Sequence, residues 1–252
     1  MARLGGPNLT YRILQDLGIA IVSGKYSNEP FPIEAQLCKQ YGSSRAVLRE
    51  AVKMLTAKGL LSARPRSGTT VQPEENWNLF DPDVLGWLLE RKISLSLLRE
   101  FAQVRRVVEP EAAALAALNA SPDDKADIRA IIKRMQIEGE IDPLGSDIAF
   151  HVAVLRASKN RFFSQLSVVT ETALRFSIRM TNEFKGVRRA SVDDHRKIAD
   201  AIYAGNASAA ETAMRELIDE ALMLIEMADA RSERHAQSST WEHRDKQVGS
   251  TG

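Results

Sequence analysis

A chain of 252 residues with one cysteine, Cys38, can build neither a disulfide framework nor a cysteine-rich zinc site. A reducing cytoplasm is the compartment this implies. No apolar run approaches the ~18 residues that a bilayer crossing takes, and the amino terminus has no hydrophobic signal core, so neither membrane insertion nor secretion is expected. A nucleophile elbow, a phosphate-binding glycine loop and an HExxH helix are also missing, which removes the commonest hydrolase and nucleotide-binding signatures. Net charge is almost absent, at +1. That last absence misleads. Up to Val71 there are ten Lys and Arg against four Asp and Glu, and beyond it 24 against 29. A basic head is joined to an acidic body, and a basic domain surface supplies the salt-dependent attraction to phosphate that underlies nucleic-acid affinity.

The head carries the sharpest local signal. In Tyr41-Gly42-Ser43-Ser44-Arg45, Gly42 tolerates the left-handed backbone that ends one helix, and Ser44 offers a side-chain oxygen to cap the next. Ile33, Leu37 and Tyr41 recur at a spacing of four, and Val47, Leu48, Ala51, Val52 and Leu55 at three and four, so each helix is given one buried stripe. The opposite face of the second helix bears Arg45, Arg49 and Lys53 on successive turns. Cations so placed can pair with guanine edges or phosphates in a major groove. Lys58-Gly59 stops the helix, and Ser62 to Val71 reads as two short strands around a turn, with Arg64 and Arg66 near the tip as a wing. The bland alternative is a helix pair with a solvated cationic face.

Behind the head, Gln72 to Asp83 contains two prolines, Trp77 and Phe80, and reads as a linker that docks. From there the periodicity is helical throughout, over 83–91, 94–119, 122–138, 144–157, 161–182, 188–204 and 207–230, with breaks at Pro122, Pro143, Gly186 and Gly205. The fold class expected is mainly α: an N-terminal winged helix-turn-helix over 1–72, a linker over 73–83, and an antiparallel all-α bundle over 84–230. Residues 231–252, polar and without apolar periodicity, read as a disordered tail. Apolar positions such as Leu97, Phe101, Val104, Val108 and Leu115 are read as bundle core.

One polar constellation stands out in the bundle. Asp147 and His151, four residues apart, emerge from one helix face, and His195 follows two helices later. Phe150 and Val154 mark that helix as substantially buried, and a buried carboxylate and imidazole left without partners would cost a few kcal/mol. A divalent metal would satisfy them, since this donor set suits zinc, nickel or manganese. So would a plain Asp–His hydrogen bond, which spacing alone favours.

The head resembles the winged helix-turn-helix of the GntR family from Leu9 to Val71. The carriers are Pro32-Ile33-Glu34, Leu37, Ser44-Arg45, Arg49-Glu50-Ala51 and Ser67-Gly68-Thr69. The resemblance implies that Ser44, Arg45 and Arg49 contact operator DNA, with Lys53 on the same face and Arg64, Arg66 and Gly68 on the wing. Ala35 and Ala46 stand where the family often has Arg and a hydroxyl residue, so the operator sequence is not transferable. The body resembles the FCD effector domain of the FadR type through Val104-Arg105 with Glu109-Pro110, Asp147 to His151, Asn160, and His195 followed by Ala201-Ile202, Gly205 and Ala210. That likeness maps the metal ligands onto Asp147, His151 and His195, with the usual fourth position falling on Leu217. It implies that Arg105 binds an anionic group of a small carboxylate effector, with Asn160 at the same site and Arg175 and Arg179 as secondary candidates. The segment Asn76 to Trp87 resembles the branch that senses sugar acids such as galactonate.

The function this implies is a homodimeric regulator, most simply a repressor, on a pseudo-palindromic double-stranded operator, released when a sugar acid binds. Two rivals belong to other classes. One is a metal-dependent helical enzyme with a DNA-targeting head; the other is a nucleic-acid-binding protein without sequence choice.

Overall fold

The computed structural model describes the backbone of residues 7–64, 68–91, 95–137, 143–185 and 191–248, and the side chains within these except 7–8, 91, 143, 179–185 and 231–248. Its contacts divide the chain into two compact units, Met1–Ile93 and Ser94–Gly252.

The first unit opens with α1, Pro7–Val22, a helix the sequence reading did not separate out. Ile13, Leu14, Leu17 and Ile21 of α1 are buried, as are Leu48, Ala51 and Leu55 of the helix it packs against. Then come α2, Glu34–Tyr41, and α3, Arg45–Ala57. Gly42 ends α2 at φ 57° and its N–H reaches the Cys38 carbonyl, while the Ser44 hydroxyl accepts from the Val47 N–H at 3.4 Å to start α3. These two residues perform the roles their types dictate. Ile33 lies outside α2 and is exposed, so the upstream stripe reduces to Leu37 with a half-buried Tyr41. Strands β1, Leu61–Arg64, and β2, Gly68–Val71, pair antiparallel with Leu61 opposite Val71 and Arg64 opposite Gly68.

The linker docks more tightly than its composition suggests. Helix α4, Pro82–Arg91, belongs to the first unit, so the head extends past the expected boundary at residue 84. The cause is a specific fit. The Trp87 ring lies against Gly18 of α1, where an added Cβ would stand 2.4 Å from Cζ3, and Trp87 Nε1 donates to Gln15 Oε1 at 2.5 Å. Lys58 Nζ, past the end of α3, is 2.7 Å from Asp81 and 2.8 Å from Asp83, two acids that bracket the start of α4.

The second unit is all-helical among the described residues. It contains α5, Leu95–Asn119; α6, Pro122–Ile137; α7, Pro143–Ala157; α8, Arg161–Lys185; α9, Val192–Tyr203; and α10, Ala207–Val248. Proline opens α6 and α7, where its missing N–H costs nothing. The main core joins Ile128, Ile132 and Met135 of α6 to Phe150 and Val154 of α7, Ile198 and Ile202 of α9, and Met214 and Ile218 of α10. Helix α5 corrects the sequence reading. Its buried face carries Leu98, Ala102, Arg105, Glu109, Ala112, Ala113, Ala116 and Ala117, while Val104 is 43% exposed and Leu97, Val108 and Leu115 are only half-buried. Alanine permits close helix approach, so beyond Leu98 small residues line the interior and the other large aliphatics named here sit at its margin.

Helix α10 runs to Val248, past Arg231, where a tail without regular structure was expected. Missing apolar periodicity removes a packing face, but Arg, Glu, Ala and Gln remain good helix formers. No helix among the described residues is long and apolar enough to cross a membrane.

Candidate functional sites

On α3, the three cations expected to face DNA are the exposed ones. The side chains of Arg45, Arg49 and Lys53 are 75%, 64% and 76% exposed. They are not free of partners. Arg49 grips Glu34 at the start of α2 with both edges of its fork, Nε to Oε2 at 2.8 Å and Nη2 to Oε1 at 3.3 Å, and Arg45 approaches the same carboxylate at 3.5 Å. The hydrogen bond from Arg49 holds the Glu34 carboxyl below its ordinary range. Lys53 lies 3.5 Å from Glu50. Such surface pairs are weak and exchange readily for another anion. Arg49, Lys53, Arg64 and Gly68 line one groove of about 460 Å³ between α2, α3 and the hairpin, so the fold brings four of the expected DNA contacts together. Gly68 has φ 80°, a left-handed backbone that favours glycine. Ser44 is committed to capping α3, and Arg66 lies outside the described residues.

The second site is inside the bundle. Asp147 and His151 come from α7 and His195 from α9, and all are at most 3% exposed. Their candidate ligand atoms lie within 4.8 Å of one another. His195 Nδ1 is 2.8 Å from the Ser191 carbonyl; a carbonyl only accepts, so Nδ1 carries the proton and Nε2 turns inward. His151 Nδ1 is 2.7 Å from the Glu109 carboxylate. Both imidazoles then present Nε2 to the same oxygen, Asp147 Oδ1, each at 3.3 Å. Two ring lone pairs and a carboxylate oxygen cannot converge in a dry interior without a cation between them, either a proton or a metal ion. Zinc, nickel or manganese fits this donor set, and each histidine has the outer hydrogen bond that orients metal-binding imidazoles. The Phe150 ring stands edge-on to His195 at 4.9 Å and closes one side.

Glu109 is the residue the sequence reading left without a role. Arg105 Nε donates to Glu109 Oε1 at 2.6 Å and Nη2 to Oε2 at 3.3 Å, four residues apart on the buried face of α5. Burial alone would raise the Glu109 pKa; Arg105 and His151 outweigh it and bring it down to about 2. Asp147 is likewise depressed, burial opposing and the imidazoles of His195 and His151 prevailing. For His151 burial works against the charged form, yet Glu109 and Asp147 raise its pKa overall. An opposite-charge pair at i, i+4 on a mostly apolar helix was the available clue to Glu109.

Asn160 and Arg175, also expected at the effector site, are not part of this cluster. Asn160 Oδ1 accepts from the N–H groups of Phe162 and Phe163 at 2.9 and 3.4 Å, so it caps α8. Arg175 is a surface cation, 57% exposed and paired with Glu171 at 2.8 Å. The Arg179 side chain lies outside the described residues. Leu217, at the position of the missing ligand, packs half-buried against the main core.

Comparison with known proteins adds three findings. Residues 9–71 match the family model described as bacterial regulatory proteins, gntR family, and residues 100–220 match the FCD domain. The chain is 34% identical over 215 residues, 84% of its own length and 94% of the relative's, to the galactonate operon transcriptional repressor of Escherichia coli (strain K12). It is 33% identical over 221 residues, 84% of this chain and 93% of the other, to an uncharacterized HTH-type transcriptional regulator of the same organism, YieP. Among solved structures, that of Lar, described as controlling the Listeria monocytogenes agr system, covers 90% of this chain and 99% of its own, with a TM-score of 0.58 at 18% identity, a likeness of fold alone.

Proposed function

Because this chain belongs to the GntR family of bacterial regulatory proteins and carries their FCD effector domain, and is therefore a DNA-binding transcription regulator rather than an enzyme, we propose that it represses an operon for sugar-acid use and is released by the sugar acid itself. The observation that carries this reading is the pairing of an exposed cationic α3 with a buried Asp147, His151 and His195 centre. The first suits a duplex groove, and the second suits a small anion rich in oxygen ligands. Similarity to the galactonate operon repressor supports a hydroxylated carboxylate as the effector class.

In this reading Arg45, Arg49 and Lys53 enter the major groove while Arg64, Arg66 and Gly68 lie along the backbone. Ser44 sets the start of the helix. A bound zinc, nickel or manganese ion would be held by Asp147, His151 and His195, leaving open positions for an effector carboxylate or hydroxyl in place of the imidazole that Leu217 lacks. Arg105 stands beside that centre as the cation for the effector's charge, and must share it with Glu109. A homodimer places two α3 helices about one helical turn of DNA apart, on a pseudo-palindrome. Exposed Val104 and Val107 of α5 are apolar surface available to a second subunit. The cytoplasm, where the operon is transcribed, is the compartment this role requires.

A gel-shift titration against the upstream region of the chain's own operon, repeated with galactonate and related sugar acids and with a random duplex, tests the proposal. Specific retardation relieved by one sugar acid is the expected result. Equal affinity for random duplex would overturn it.

A further inference from the structure

Of the side chains around the buried centre, Glu109 is the one whose position has no explanation in packing. It is 2% exposed, on the interior face of α5, among alanines. Burying a carboxylate there is expensive unless every partner is in place. Its partners are Arg105 on one side and His151 Nδ1 on the other.

Resting on the metal reading above, we infer that Glu109 is a positioning residue for the centre: it holds the His151 ring with Nδ1–H turned to itself and Nε2 turned to Asp147 and His195, and Arg105 clamps it in that place. The distances around the two rings carry this. The Nδ1 bond to Glu109, at 2.7 Å, is much the shorter of the two that the ring makes to carboxylates, the Nε2 approach to Asp147 being 3.3 Å. Arg105 Nη2 stands 3.3 and 3.4 Å from the two ring nitrogens, so it singles out neither. His195 shows the same arrangement built from a different acceptor, with Nδ1–H on the Ser191 carbonyl and Nε2 on Asp147. Both imidazoles are thus set by an outer acceptor to offer the same nitrogen at the same oxygen. Outer acceptors of this kind orient the ring and raise its basicity as a ligand. The consequence is a physical link between the cation proposed to receive the effector's charge and one ligand of the metal, made through the Glu109 carboxylate and by the direct approach of Arg105 Nη2 to the ring.

The test uses the full chain and zinc alone as the probe. Replacing both partners of a buried pair with apolar groups of similar volume is tolerated far better than breaking it, so Arg105→Met with Glu109→Leu removes the acceptor without stranding a charge. Arg105→Gln with Glu109→Gln removes the charges and keeps a carbonyl acceptor. Zinc titrated calorimetrically should bind the Leu variant roughly 10- to 100-fold more weakly than the unaltered protein, although no ligand has been touched. The Gln variant should recover most of that loss. Zinc binding by the Leu variant as tight as in the unaltered chain, or a Gln variant as weak as the Leu variant, would overturn the inference. A second readout needs no variant to fold. Long-range nitrogen–proton NMR of the metal-free protein, at a pH where the imidazole is neutral, should show the Nδ1–H tautomer at His151, and an Nε2–H tautomer would overturn the assignment. Should the unaltered protein take up no zinc, nickel or manganese, the metal reading fails, and the tautomer decides the role of Glu109 on its own.

Discussion

Among the described residues, two arginines grip a glutamate through both Nε and Nη2, in almost one geometry and in opposite surroundings. Arg49 holds Glu34 through Nε at 2.8 Å and Nη2 at 3.3 Å, with the side chains 64% and 34% exposed. Arg105 holds Glu109 through Nε at 2.6 Å and Nη2 at 3.3 Å, with the side chains 5% and 2% exposed. Water decides what each pair is for. In the head, solvent screens the attraction, so the guanidinium can leave its carboxylate for a phosphate or a guanine edge at little cost. Inside the bundle, either group left alone would be an unpaired charge in a dry interior, so the pair stays made and can serve as a fixed reference for the groups around it.

The largest expected effect comes from breaking the inner pair. Glu109→Ala should destabilise the protein by about 3–5 kcal/mol in denaturant unfolding, whereas Glu34→Ala should leave the unfolding midpoint close to that of the unaltered chain. Comparable losses would show that burial does not separate them. Next comes the metal: zinc at about 100 times its dissociation constant should raise stability by ~2.7 kcal/mol, removable by a chelator. A His151→Ala chain should show no such gain. Breaking the outer pair from its other side, Arg49→Ala should weaken operator binding roughly tenfold or more while leaving random-duplex affinity much less affected. The same loss on both duplexes would make Arg49 a phosphate contact.

Acid sharpens the comparison further. The Glu109 pKa, about 2 in the fold, lies below its ordinary 4.5. A depressed carboxylate contributes stability that is fully present above about 4.5 and is lost as pH falls toward about 2. Acid unfolding of a folded Glu109→Gln variant should therefore be flatter across that window. The smallest effect is expected at Glu34. Glu34→Gln frees Arg45 and Arg49 of a competing anion, so random-duplex affinity should rise severalfold, and a fall would show that Glu34 orients the arginines instead of restraining them.

How much of this was legible follows from the range of the interactions. The turn at Gly42-Ser44, the cationic face of α3 and the spacing of Asp147 and His151 are local, and local periodicity reports them. Inside α5 periodicity failed, because the rule that large aliphatics mark the buried face assumes an apolar interior. Here the interior is built around Arg105 and Glu109, with alanines letting neighbouring helices close in, and Val104 faces outward. Asn160 shows a local role that the resemblance did not point to, since its Oδ1 caps the start of α8. The position of α4 was out of reach because it depends on Trp87 meeting Gly18, residues far apart in the chain whose shapes fit only once both helices exist.

That meeting of Trp87 and Gly18 bears on how the DNA-binding half can be cut out and handled. A fragment ended at Val71, where the sequence motif stops, would lose Val84, Leu85, Trp87 and Leu89, all at most 3% exposed. It would bare a greasy seat on α1 and strand the Lys58 ammonium without Asp81 and Asp83. A fragment carried through Ile93 keeps the seat filled and the ammonium answered, and of the two is the piece with reason to stay soluble.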